Sequence, residues 1–141
     1  MRSAPLGCES VAGYSATPQA RKLGLRAGTR VALVAVPDRW ELDGPPDIVL
    51  VESDERADVV VAFCRSAAEL AGHVDVQASR IFPDGALWLV WPRKAAGHHS
   101  DVTENGIRDV VLPLGLVDVK VAAVDEDWSG LKIVWRREKR I

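Results

Sequence analysis

The sequence feature that most constrains the fold is an unbroken apolar run, ALWLVW, at residues 86–91. Pro-Asp-Gly precedes the run and Pro92 follows it, so its length and its flanks are those of a strand. A strand without alternating polar residues is buried on both faces, which is typical of the parallel sheets of α/β proteins. The run therefore predicts a central strand in a sheet that is covered on both sides.

A polar loop and a helix start follow this strand. The loop contains Arg93, Lys94 and the sequence Gly-His-His-Ser at 97–100. Asp101 and Glu104 have the spacing of a capping box, which predicts that a helix begins at Asp101. In open parallel sheets the ligands bind where strands end and helices begin. We therefore expect any site of this protein to lie at this junction.

Other apolar runs predict the remaining strands. Residues 30–36 and 58–63 are continuous runs typical of buried strands, and residues 48–51 form a shorter run. Residues 116–124 alternate between apolar and other side chains, which predicts a strand with one wetter face. A short turn separates this strand from residues 131–135, so the two are predicted to form an antiparallel hairpin.

Three helices are predicted between these strands. The first is a short segment over residues 17–24, with Thr17 as its N-cap and a glycine at its end. The second begins with a capping box formed by Ser66 and Glu69, and the third runs from Asp101 to Gly115. Because the second helix joins two buried strands, a right-handed crossover makes those strands parallel and adjacent.

Length and composition favour one ordinary globular domain. A chain of 141 residues can build a core of sufficient size by itself. We predict a flexible N-terminal arm over residues 1–15, a single α/β domain over 16–136 and a basic tail over 137–141. The net charge of −2 makes a nucleic-acid partner unlikely in this interpretation. No run is long enough to span a membrane, and the N terminus lacks the apolar segment of a signal peptide, so a cytoplasmic location is expected.

The residues after the first buried strand lack a glycine turn. A nucleotide or methyl-donor site at this point needs a Gly-x-Gly turn, because glycine lets backbone N–H groups approach the ligand. The chain has PDRWELDGPP at 37–46 instead. It also has no Ser/His/Asp or Cys/His set at a recognisable spacing. We therefore expect no bound cofactor and assign no catalytic residue.

The order of elements resembles the C-terminal half of the class I methyltransferase fold, in which a parallel β-α-β-α-β core ends in an antiparallel hairpin. The fold class that we predict is α/β: a three-layer, Rossmann-like, mostly parallel sheet that ends in the hairpin, like a truncated methyltransferase. Because the glycine turn is missing, this likeness covers topology only.

Local sequences carry a second and more specific resemblance. They are GYSATP at 13–18, RVALV at 30–34, GALWLVWP at 85–92, DVTEN at 101–105, GLVDVKV at 115–121 and AVDEDWSGLK at 123–132. Through them the chain is similar to an uncharacterised family of short bacterial proteins, mainly actinobacterial, known as domain-of-unknown-function family 3052. The resemblance covers nearly the whole chain and implies no activity.

This topology brings basic and aromatic side chains to the carboxyl edge of the sheet. Cationic side chains and two predicted helix N-termini could hold a phosphate or carboxylate there, with Trp91 or Trp128 as a wall for a flat ligand. The alternative is that these residues cap helices, fill the core or face solvent. The candidate ligand-binding residues are Arg65, Ser66, Trp91, Arg93, Lys94, Asp101, Thr103, Glu104, Asn105, Asp125, Trp128 and Ser129.

Two functions remain open from the sequence. In the favoured hypothesis the protein is a non-catalytic binding or regulatory module for a protein partner or a small anionic ligand. In the other it is a nucleotide- or S-adenosylmethionine-dependent enzyme whose glycine turn has been replaced. A metal site is not predicted, because His98 and His99 lack the i, i+4 spacing that places two ligands on one helical face. Cys64 is expected to be an unreactive thiol at the end of a strand.

Overall fold

The computed structural model describes residues 19–42, 47–52 and 55–140. The predicted N-terminal arm and the predicted cap at Thr17 lie outside these residues. The helices are α1 (Gln19–Lys22), α2 (Ala67–Gln77) and α3 (Glu104–Val111). The strands are β1 (Arg30–Val34), β2 (Val49–Leu50), β3 (Val59–Phe63), β4 (Ala86–Pro92), β5 (Leu116–Ala123) and β6 (Trp128–Trp135).

The strands form a six-stranded sheet in the order β2-β1-β3-β4-β6-β5. The first four strands of this order are parallel, whereas β6 is antiparallel to both of its neighbours. As predicted, α2 connects β3 to β4, and these two strands are parallel and adjacent. The hairpin is also confirmed, and β6 inserts between β4 and β5.

Each face of the sheet has its own layer. On the helical face, the side chains of Val60, Leu87 and Leu89 pack in one apolar cluster with residues of α2 and α3. On the opposite face, which we call the loop face, Phe63 and Trp88 pack with the α1 segment and with the loop that follows β1. The predicted three-layer α/β architecture is therefore present, although the loop face carries only one short helix.

The first buried strand is shorter than predicted. It ends at Val34, two residues before the end of the apolar run, because Ala35 adopts a left-handed conformation with φ of +55°. Arg39 in the following loop is left-handed as well, with φ of +64°. Non-glycine residues rarely adopt this conformation, so the surrounding packing must hold this turn in place.

The predicted alternation of β5 is interrupted. A β-bulge lies between Asp118 and Lys120, and it shifts the side chains that follow it. As a result Val119 and Val121 are each 54% exposed, although the pattern predicted that they share a buried face with Val117. The basic residues after β6 form a 3-10 turn over Arg137–Lys139.

Both predicted helix starts can be compared with the observed caps. For α2 the prediction is confirmed, since Ser66 is the N-cap and its hydroxyl accepts from the Glu69 backbone N–H. For α3 the predicted capping box is wrong. The N-cap is Thr103, whose hydroxyl accepts from the backbone N–H of Gly106, and the helix begins at Glu104 rather than Asp101.

Candidate functional site

The carboxyl ends of the parallel strands and the β5–β6 turn meet at one edge of the sheet. A hollow of about 400 Å³ opens there, and we call it the edge hollow. Two of the predicted residues, Arg65 and Trp128, lie on its wall, and the Arg65 guanidinium carbon is 5.7 Å from the centroid of the Trp128 ring. Its lining residues are Arg65, Pro92, His98, His99, Asp127 and Trp128.

An aromatic cluster fixes the position of Trp128. Its ring packs edge to face against Phe63, with centroids 5.0 Å apart, and Phe63 packs in the same way against Trp40 at 4.8 Å. Edge-to-face pairs of this kind are favourable, because the positive edge of one ring meets the negative face of the other. The wall of the edge hollow is thus supported by two further rings.

Asp125 joins the aromatic cluster to the hairpin turn. Its Oδ2 accepts from the Trp40 indole N–H at 2.9 Å. Its Oδ1 accepts from the backbone N–H groups of Asp127 at 2.8 Å and of Trp128 at 2.9 Å. Asp125 therefore has a structural role, and its carboxylate is already bonded to three N–H groups.

The loop after β4 is tied to the same turn. The Arg93 guanidinium donates to the backbone oxygen atoms of Asp125 and Glu126, at 3.3 and 3.1 Å. The His98 imidazole Nε2 lies 2.9 Å from the Asp127 carboxylate Oδ1. On the other side, the Ser100 hydroxyl donates to the backbone oxygen of Arg65 at 3.1 Å. The loop that carries both histidines is thus anchored at both sides of the edge hollow.

The remaining candidates do not share one hollow with Arg65 and Trp128. An adjoining, more open hollow of about 700 Å³ is lined by Lys94, Ser100 and Asp101 together with the two histidines. A third of about 410 Å³ lies beside it, and Lys94 belongs to both. This third hollow is lined by Trp91, Lys94, Val102, Thr103, Glu104, Asn105 and Arg108. Eight of the twelve predicted residues therefore spread over three neighbouring hollows, whereas Ser66, Arg93, Asp125 and Ser129 line none of the three.

The structure corrects the predicted use of the helix N-termini. Asp101 does not cap its own helix; its Oδ1 accepts from the Ala67 N–H at the start of α2, at 2.8 Å. Ser66 accepts from the Glu69 N–H, and the Glu69 carboxylate accepts from the Arg65 N–H at 2.6 Å. Because side chains of the protein occupy these donors and add negative charge, the start of α2 is not a ready site for an anion.

Several other candidates have structural contacts. Glu104 Oε1 and Asn105 Oδ1 accept from the Arg108 guanidinium, at 3.2 and 3.0 Å, on the surface of α3. Trp91 is only 8% exposed and belongs to the core of the helical face. Ser129 lies in β6 opposite Trp91. These four residues therefore have structural contacts within the protein, although Trp91, Glu104 and Asn105 also line the third hollow.

The residues that the sequence analysis did not include are His98, His99, Asp127 and Trp40. The adjacent spacing of the two histidines bears only on metal binding, and it predicts no metal site. Their position in the sequence, between two basic residues and a predicted helix start, is the feature that could have placed them at this site. Trp40 and Asp127 follow predicted strands at the same edge, but the sequence does not show their contacts, because these depend on how loops distant in sequence meet.

Burial perturbs two titratable groups near this edge. Desolvation, followed by the charge of Glu69, raises the pKa of the Cys64 thiol to about 12, so this thiol is protonated at neutral pH. Burial and the neighbouring Arg93 lower the pKa of the Lys22 ammonium, whose Nζ donates to the backbone oxygen of Ala123 at 2.8 Å. Within the described part of the chain, no three His, Cys, Asp or Glu side chains are grouped to hold a metal ion.

The fold defines a class: an α/β protein with a methyltransferase-like, Rossmann-like sheet. Among solved structures, it is similar to a ribosomal protein L11 methylase from Lactobacillus delbrueckii subsp. bulgaricus, with 16% identity, 78% of this chain and 71% of that chain covered, and a TM-score of 0.50. A SAM dependent methyltransferase from Aquifex aeolicus matches with 12% identity and a TM-score of 0.50, and the match covers 80% of this chain and 85% of that chain. At these identities the similarity concerns the fold alone.

A further structure in this class is the N-methyltransferase NodS from Bradyrhizobium japonicum WM9, with 14% identity, coverages of 84% and 83%, and a TM-score of 0.50. The chain belongs to the protein family of unknown function DUF3052, whose model matches residues 42–137, more than half of its length. No curated protein matches the sequence. None of the helices in the described residues has both the length and the apolar character needed to cross a bilayer.

Proposed function

We propose that this protein is a non-catalytic binding module that holds a small anion bearing a flat group in the edge hollow. The observation that carries the proposal is the Arg65 guanidinium beside the Trp128 ring, at 5.7 Å, on the wall of an open hollow. An arginine can bond to a carboxylate or phosphate, and an exposed ring face can stack on a flat ligand. A cytoplasmic location remains part of this proposal.

The side chains around the hollow support an anionic ligand. Arg65 is exposed and its guanidinium lies beside the Trp128 ring, so its N–H groups can reach a ligand. His98 and His99 offer two imidazoles, and Lys94 lies in the adjoining hollow. Asp127 is the acidic residue of the edge hollow, and its carboxylate contacts His98 at 2.9 Å.

The surroundings of β1 support a module without catalysis. The crevice beside the first strand is where doubly wound sheets hold nucleotides. Here the loop after β1 brings the Trp40 indole onto Phe63 and the hydrogen bond to Asp125. A side chain of the protein thus occupies space where free backbone amides would meet a phosphate. Cys64, which follows β3 at this edge, is fully buried.

The test is a titration with AMP, which combines a flat ring system with a phosphate, and with inorganic phosphate alone. We expect AMP to bind more tightly than phosphate, and Arg65→Gln to weaken AMP binding about tenfold or more, because a charge-assisted hydrogen bond is lost. Trp128→Leu should weaken AMP but leave phosphate unchanged. Arg137→Gln, which removes the same charge from the 3-10 turn after β6, is the matched control.

Two outcomes would contradict the proposal. One is that neither AMP nor a flat carboxylate such as benzoate shows saturable binding in calorimetry. The other is that Arg65→Gln and Arg137→Gln weaken AMP binding equally, since the effect would then come from net charge and not from the edge hollow.

A second candidate function is a divergent nucleotide- or S-adenosylmethionine-dependent enzyme, which the methyltransferase-like fold favours. Titration with S-adenosylmethionine separates the two. The binding-module proposal expects no change in the thermal midpoint at millimolar concentration, whereas a ligand at one hundred times its Kd stabilises by about 2.7 kcal/mol. Tight binding would replace our proposal with the enzyme.

A protein partner is the remaining candidate, and it is favoured by the exposed side chains of β5. Val119 and Val121 are each 54% exposed on an edge strand. Exposed apolar groups of this kind mark interaction surfaces when they are contiguous. If light scattering showed self-association that Val121→Lys abolished, this surface rather than the edge hollow would be the better candidate for function.

A further inference from the structure

A separate hollow, of about 520 Å³, lies on the helical face over β1. Val51 and Glu52, which follow β2, line it on one side. Parallel strands are usually joined by a helical crossover. Here the described residues between β2 and β3, which are 51–52 and 55–58, include no helix. We call this space the crossover hollow.

The floor of the crossover hollow is apolar. It is formed by Ala32 and Val34 of β1 and by Val51, which all pack with the core cluster of the helical face. Ala32, the smallest of the three, is buried. Val34 is half-buried. The volume is within the range of about 300–1,000 Å³ that ligand pockets occupy.

A buried guanidinium forms one wall. Arg80 is only 8% exposed, and its Nε, Nη2 and Nη1 atoms donate to Glu55 O, Glu52 O and Gln77 Oε1, at 2.8, 2.7 and 2.9 Å. Of its five N–H groups, three are used in this way. Among the described residues no carboxylate lies within ion-pairing distance of Arg80, and the three atoms that accept from it are neutral oxygens.

A buried cation without a counter-charge is costly, and a bound carboxylate removes that cost. We propose that the crossover hollow binds a small amphipathic carboxylate, with the carboxylate on Arg80 and the apolar chain along Ala32, Val34 and Val51. A planar carboxylate can accept from two N–H groups of one guanidinium. The apolar floor selects a hydrocarbon chain over a polar one, which distinguishes this ligand from the flat anion of the edge hollow.

The probe is octanoate, titrated by calorimetry and followed by ¹H–¹⁵N NMR. We expect saturable binding with shifts at Val34, Val51 and Gln77, and weaker binding of butanoate by about tenfold or more, since each buried methylene contributes to affinity. Octanol, which has the same chain but no charge, should bind at least tenfold more weakly than octanoate.

Two variants locate the site. Arg80→Gln should reduce octanoate affinity at least tenfold, but it also removes bonds to the backbone of the β2–β3 segment and could unfold the protein. Val34→Phe adds volume to the lining of the hollow and leaves those bonds in place, so it should block octanoate while the circular dichroism stays unchanged. Val121→Phe, on the opposite edge strand, is the matched control.

The proposal is wrong if octanoate and octanol bind equally, if octanoate does not bind, or if a folded Val34→Phe variant retains full affinity. It is also wrong if the NMR shifts appear at Arg65 and His98 in place of the β1 residues. Arg65→Gln should leave octanoate binding unchanged, so this test and the AMP test of the edge hollow fail independently.

Discussion

Replacing Trp40 by phenylalanine removes one hydrogen bond and leaves most of the aromatic contact. The bond runs from the indole N–H to Asp125 Oδ2 at 2.9 Å, between two half-buried side chains. Hydrogen bonds to charged groups contribute about 1.5–3 kcal/mol, and partial exposure places this one near the lower value, at about 1.5 kcal/mol. For a domain of this size that corresponds to roughly 5 °C in the thermal midpoint.

Asp125→Asn tests the same bond from the other side. The asparagine oxygen can still accept from the backbone N–H groups of Asp127 and Trp128, but its NH₂ group then faces the indole donor. In a double-mutant cycle with Trp40→Phe, we expect a coupling energy of about 1.5 kcal/mol, because both single changes break one and the same bond.

The cycle is measured by urea unfolding followed by circular dichroism, since tryptophan fluorescence changes with the substitution itself. The smaller packing volume of phenylalanine enters both arms that contain Trp40→Phe and cancels in the coupling energy. If the two single changes add to within about 0.3–0.5 kcal/mol, the bond contributes nothing measurable. The argument that Trp40 and Asp125 together hold the loop after β1 would then be refuted.

Three other predictions follow from the same structure. Asp101→Ala should lower the free energy of unfolding in urea by about 1 kcal/mol, because the Ala67 N–H loses its cap. Glu104→Ala, at an exposed ion pair with Arg108, should change it by less than about 0.5 kcal/mol. Equal effects of the two changes would contradict the observed caps. Gly130→Ala should lower the free energy of unfolding by about 1–3 kcal/mol, because its Cβ would lie 3.0 Å from Trp88 Cε3 and 2.9 Å from a Val124 methyl carbon. An unchanged midpoint in thermal unfolding would argue against this packing. The pKa of Cys64 is raised to about 12 from 9.0, so the unfolded state loses this proton first as the pH rises. The free energy of unfolding should therefore fall by up to about 1.4 kcal/mol per pH unit between about pH 9 and 12. A Cys64→Ala variant with the same pH dependence would disprove the assignment.

Much of the fold could be predicted from local patterns. Residues 58–63 and 86–91 are apolar without interruption, so their identity as buried parallel strands did not depend on distant contacts. Ser66 could be recognised as a cap because its partner, the Glu69 N–H, is three residues away. The glycine that ends the third helical segment, Gly115, has φ of +96° as that signal implies.

The candidate site was predictable as a location and only in part as a set of residues. The edge where β3 and β4 end did collect Arg65, Lys94 and Trp128 around neighbouring hollows. The sequence could not show that Arg93 and Asp125 are engaged in the hairpin turn. It could not show that His98 forms part of the wall either. Whether these residues bind a ligand stays a prediction.

By itself the sequence determined the strand and helix types, because periodicity and caps act over fewer than about five residues. Only the tertiary structure decided that Asp101 caps a helix whose first residue lies 34 positions earlier, and that Trp40 reaches Asp125. It also decided that a hollow lies over β1 beside Arg80. The physical reason is that a hydrogen bond or a cavity depends on distance in space, and residues far apart in sequence meet only after the sheet has assembled.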